Sequence, residues 1–90
     1  MPVISFFLGI YIRMYYREHN PPHFHVEYKN DKAIININTL EVMEGELPRR
    51  VLALVLEWAS YNREKLMENW HNIETGHALN KIKPLDEDDE

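Results

Sequence analysis

Cysteine is absent from this chain, which removes disulfides, thiol nucleophiles and thiolate metal sites from consideration together. Glycine is scarce, at three residues, and no glycine-rich phosphate-binding loop, Gly-x-Ser-x-Gly elbow or helix-turn-helix pattern can be traced. Long hydrophobic runs are also missing. The apolar opening, Met1 to Ile12, is cut off by Arg13 well short of the ~20 residues a membrane span requires, and it carries neither a basic leader nor a small-residue cleavage site. A soluble, cytoplasmic chain with no membrane association is therefore expected. Excess positive charge is lacking as well. The formal charge is −5, but five of the fifteen acids stand together at 86–90, leaving ten against ten lysines and arginines. The body is thus near neutral, and generic binding of nucleic acid through a basic field receives no support.

What is present is enough for one core. Ninety residues, 44% of them hydrophobic, suit a single α+β domain over 1–85, followed by an acidic tail at 86–90 of the kind that is usually disordered. A chain of this size buries only about 60% of its unfolded surface, so stabilisation by a partner, including homo-oligomerisation, is a reasonable expectation.

Val3, Ser5 and Phe7, then Ile10, Ile12, Met14 and Tyr16, alternate with period two on either side of Gly9, predicting two strands joined near Leu8-Gly9. Arg13, Tyr15 and Arg17 fall on the other face of the second strand. Asn20-Pro21-Pro22 interrupts the ladder, because proline has no N–H to donate. A third strand is expected from His23 to Tyr28, a turn at Lys29-Asn30-Asp31, a fourth strand through Ala33, Ile35 and Ile37, and a short fifth over Leu40–Glu44 ending at Gly45. So many strands in so few residues describe an antiparallel meander, since parallel pairing would need crossovers.

Pro48 opens a helical pattern in which Leu52, Val55, Ala59, Leu66, Trp70 and Ile73 form one stripe, broadened early by Val51, Leu54, Leu56 and Trp58. Thr75-Gly76 is the expected end. The predicted architecture is a small antiparallel meander of about five strands packed against one long C-terminal helix. A continuous helix would span about 40 Å, more than the sheet is wide, so a bend near Tyr61-Asn62 or a protruding end is implied. Trp58 and Trp70 read as core or interface residues, and His71 and His77 as surface groups.

The chemistry concentrates in His19-Asn20-Pro21-Pro22-His23-Phe24-His25. His23 and His25, two apart on a strand, project from the same face at a spacing that one metal ion can bridge, and His19 is a candidate third ligand from across the diproline turn. Three imidazoles with an open position suit zinc, with Glu27 available to complete the shell or act as a base. Two alternatives stand beside this. In one, the histidines serve metal-free acid–base chemistry or polar recognition, with His19, His23 and His25 as proton carriers, Arg13 and Arg17 stabilising an anion, and Tyr15 or Tyr28 stacking or donating a proton, as an RNA-cleaving site requires. In the other, they are structural, capping the turn and packing at the sheet.

The segments Met1-Pro2-Val3-Ile4-Ser5, Arg13-Met14-Tyr15, His19 through Val26, Gly45-Glu46-Leu47-Pro48-Arg49-Arg50 and Leu56-Glu57-Trp58-Ala59 together closely resemble small bacterial proteins catalogued as domain of unknown function 4160. The resemblance runs through nearly all of 1–85 and leaves out the acidic tail. Members are often encoded beside a second small protein, and some are assigned as toxins of type II toxin–antitoxin pairs. The resemblance therefore implies a toxin-like protein, restrained by a small cognate antitoxin-like partner and acting on RNA or the ribosome. A non-enzymatic protein-binding module, or a small metal-binding protein using His19, His23 and His25, is the alternative. No established catalytic assignment accompanies the motif.

Overall fold

Residues 2–85 are described by a computed structural model; the acidic run at 86–90 lies outside them. Five strands, β1 (Val3–Phe7), β2 (Ile10–Arg13), β3 (His23–Tyr28), β4 (Asp31–Asn36) and β5 (Val42–Gly45), form one antiparallel sheet in the order β1-β2-β3-β4-β5. Two helices follow, α1 (Arg49–Tyr61) and α2 (Arg63–Thr75). The meander is as expected for strands joined by connections too short for crossovers.

Leu8 and Gly9, at φ 53° and 81°, make the first hairpin, a two-residue turn in which both residues take the left-handed backbone that matches strand twist. Gly45 is needed for a different reason. Its φ is 78°, and a Cβ there would stand 2.1 Å from the Lys32 carbonyl oxygen on the neighbouring strand.

One sheet face carries Phe7, Ile10, Ile12, Phe24, Val26 and Ile35, which pack with Val51, Val55, Trp58, Leu66, Trp70 and Ile73 from the helices. The expected alternation in β1 holds only in part. A bulge between Val3 and Ser5 places Ile4 and Ser5 both inside, with Phe6 outside and Phe7 inside again. β2 is also shorter than its apolar pattern suggested. The chain leaves the ladder after Arg13, so the alternation that grouped Arg13, Tyr15 and Arg17 does not extend to Arg17, whose φ is 67°.

The single long helix of the sequence reading is corrected to two. The break falls at Asn62, where the bend was placed. Its backbone sits at φ −122°, ψ 20°, its N–H reaches Ala59 O at 3.1 Å, and its side-chain Nδ2 donates to Trp58 O at 2.8 Å. The side chain thus satisfies a carbonyl that a continuous helix would have paired with a backbone N–H. The Asn62 carbonyl then accepts from Leu66 N and starts α2. Gly76 ends α2 in the left-handed conformation.

Beyond α2 the chain returns along the core. Buried Asn69 donates to Asn80 O at 2.9 Å and accepts from Asn80 N at 2.8 Å, the Trp58 indole N–H donates to Lys83 O at 2.9 Å, and Ile82 N donates to Ile4 O at 2.7 Å. This strap covers part of the β1 edge, whereas all four residues of β5 are exposed at the other edge. No helix among the described residues is long and apolar enough to cross a membrane.

Candidate functional site

The face of the sheet turned away from the helices carries two rows of cross-strand neighbours. One runs Phe6, Tyr11, Glu27, Lys32 and the other Arg13, His25, Ile34, Glu44. At the His25 end, the chain from Met14 to Pro22 leaves the sheet and turns back through Asn20-Pro21-Pro22, with the Asn20–Pro21 bond cis. That excursion brings Glu18 over the first residues of β3.

Glu18, His23 and His25 form a compact cluster whose ligand-type atoms all lie within 4.8 Å of one another. Glu18 Oε1 is 2.7 Å from His23 Nε2 and 2.6 Å from His25 Nε2. His23 is 8% exposed, and its Nδ1 lies 2.8 Å from the Pro21 carbonyl oxygen. Its ring stands 5.3 Å from that of His25 and 5.2 Å from that of Trp70 on α2. His25 is half-buried, with the Tyr15 ring edge-on at 4.7 Å. Burial by itself would raise the Glu18 pKa, but hydrogen bonds from His25 and His23, with their charge, outweigh it and hold the carboxyl below its ordinary value.

Donor counting gives this geometry a consequence. A carbonyl oxygen and a carboxylate oxygen are both acceptors, and His23 faces one with each ring nitrogen. A neutral imidazole has a single N–H. One N–H therefore serves the Pro21 carbonyl, and the contact between Nε2 and the carboxylate needs a further proton, or another cation, between its two atoms.

The residues singled out from the sequence are distributed as follows. His23 and His25 meet, and Tyr15 packs on His25. Arg13 is next to them but is engaged with Glu27, Nε to Oε1 at 3.1 Å, so Glu27 stands outside the cluster. A hollow of about 310 Å³ lies along this face, lined by Arg13, Tyr15, His25, Glu27, Lys32 and Glu44 among others. Arg17 is elsewhere, lining a second hollow with Tyr16, Glu18 and the end of α2. His19 is exposed and is not in the cluster; Glu18, its neighbour in the chain, occupies the third place. Tyr28 lies at the far end of β3. His77 is exposed, close to Thr75 and accepting from the Tyr16 hydroxyl through its carbonyl.

Glu18 is the residue that sequence reasoning passed over. Its signal was a carboxylate bordering the histidine segment, and nothing in strand periodicity applies to a residue in an irregular loop.

Comparison with protein families matches residues 9–71, including the whole cluster, to the family described as Domain of unknown function (DUF4160). The chain belongs to this family. Within the DUF4160 match lie β2 to β5, the diproline turn, α1 and most of α2. No curated protein and no solved structure matches the chain.

Proposed function

We propose that this DUF4160 protein is the toxin-like component of a bacterial type II toxin–antitoxin pair, acting in the cytoplasm on RNA or on translation through its histidine segment. The observation that carries the reading is the placement of the Glu18–His23–His25 cluster beside the hollow that Arg13 and Lys32 border. Phosphodiester cleavage requires a proton acceptor for the attacking hydroxyl, a proton donor for the leaving oxygen and positive charge near the phosphate. The cluster supplies the proton-handling element, Arg13 and Lys32 the charge, and Tyr15 an aromatic wall. A hollow of this volume is at the small end of ligand sites, which run from about 300 to 1,000 Å³, and suits one nucleotide rather than a long strand. Glu27 and Glu44 offset the two cations, which fits a near-neutral body and favours a substrate presented by a larger assembly over capture of free RNA by charge.

The test is bacterial growth under tight inducible expression of the wild-type chain and of a His23→Ala, His25→Ala variant that is folded and equally abundant. Arrest by the wild type alone is the expected result. Arrest by both proteins would remove the site assignment, and normal growth with both would remove the toxin reading.

A second reading is favoured by β5, whose four residues, Val42 and Met43 included, are all exposed at a sheet edge. A cognate protein adding a strand there would make the chain a non-enzymatic binding module. On that reading the double histidine variant retains partner binding in full, and backbone disruption of β5 abolishes it.

A further inference from the structure

We propose that Glu18, His23 and His25 hold a single divalent first-row metal ion, with zinc the ion best suited to two imidazoles and one carboxylate. The inference goes beyond the toxin reading and does not need it, because an ion binds or fails to bind whatever the chain does to growth.

The first ground is geometry. Ligand atoms bound tetrahedrally to one ion at 2.0–2.2 Å lie about 3.3–3.6 Å apart. Glu18 Oε1 is 2.7 Å and 2.6 Å from the two Nε2 atoms, so withdrawal of the carboxylate by somewhat less than about 1 Å opens the space a tetrahedral ion needs. Glu18 lies on a loop with its side chain 26% exposed, and can make that movement without disturbing the sheet.

A second, independent ground is the orientation of His23. The Pro21 carbonyl holds the hydrogen on Nδ1, which leaves Nε2 as the ring nitrogen directed at a carboxylate oxygen. A metal cation placed between the two atoms would take the place of the proton that such a contact otherwise needs, and would bond to both. Fixing the tautomer of a ligating histidine through a backbone carbonyl is the usual outer-shell arrangement at such sites. The Trp70 ring lies beside the imidazole, with 5.2 Å between ring centroids.

Third, the set is incomplete in the sense that catalysis requires. Three protein ligands leave a position for water, and His25 lines one hollow while Glu18 lines the other, so the cluster stands between two openings. An ion held there would supply a bound hydroxide as the proton acceptor of the proposed reaction, formed when water on the metal loses a proton, and the two imidazoles would serve as ligands.

The experiment uses the full chain without a polyhistidine tag, stripped with chelator and dialysed against zinc at about pH 7.5, above the ordinary histidine range. Bound metal is measured by mass spectrometry and affinity by competition with a chromophoric chelator. Cobalt substitution reports the ligand geometry by visible absorption. The expected result is one equivalent of zinc per chain. Glu18→Ala and His25→Ala each weaken binding by more than about 100-fold, since even outer-shell changes commonly cost 10–100-fold, while His19→Ala binds like the wild type. Glu18 and His25 are used because both are partly exposed and their variants, checked by circular dichroism, report on the ion rather than on folding. Less than one equivalent in the wild type at saturating zinc, undiminished affinity in either variant, or an equal loss in His19→Ala would overturn the proposal.

Discussion

The two faces of one sheet are built from the same strands and serve opposite ends. On the covered face, Ile12, Val26 and Ala33 lie across from one another, all buried and none of the three titratable. On the open face, one residue away along each strand, the corresponding row is Arg13, His25 and Ile34. Strand periodicity alone separates them, because successive side chains alternate between faces. The lesson is that stability and chemistry can be varied almost independently in this chain, except at the Pro21–His23 end, where α2 reaches the cluster through Trp70.

The comparison breaks most visibly if Trp58 is removed. Its ring is fully buried against Phe7 and Phe24, and its N–H holds the returning strap, so Trp58→Ala should destabilise by about 3–5 kcal/mol in urea unfolding, enough to threaten the fold of so small a domain. Asn69→Ala tests the strap by itself. It leaves the Asn80 N–H and carbonyl without their partner and should cost about 1–3 kcal/mol, accompanied by faster amide exchange at Asn80 and Ile82.

The open face should respond differently. Phe6 is 50% exposed and packs against Tyr11 with the rings tilted and their centroids 4.6 Å apart, so Phe6→Ala should lower stability by no more than about 1.5 kcal/mol. A loss as large as that of Trp58→Ala would show that this face is covered in solution. The smallest effect belongs to the partly exposed Arg13–Glu27 pair, for which a double-mutant cycle should give a coupling of about 0.2–1 kcal/mol, screened by salt. Arg13→Gln would then separate the faces cleanly: near-native unfolding, but loss of growth arrest if Arg13 serves the proposed chemistry.

Much of the fold was legible because it depends on local patterns. Ala33 and Ile35 announced β4 and its inward face, although the strand stops at Asn36, short of Ile37; His23 and His25 announced a shared side of β3, and Gly76 marked the end of α2. The misses share a cause. Asn62 interrupts the helix by turning its amide onto the Trp58 carbonyl, a choice between two hydrogen-bonding options that helical periodicity does not encode. The bulge in β1 shifts Ile4 and Ser5 inward against the alternation, and β2 stops at Arg13 although its apolar pattern continues.

The sequence by itself determined the α+β class, the antiparallel order of the strands and the pairing of His23 with His25, since each follows from spacing along a continuous segment. Only the tertiary structure decided which acid joins them. Glu18 and His19 are adjacent in the chain, and the path of the loop through Asn20-Pro21-Pro22 places Glu18 against both imidazoles while His19 remains exposed. That path is set by packing at the end of the sheet rather than by any repeat in the residues, and it converts a row of three histidines into a site of two histidines and a carboxylate.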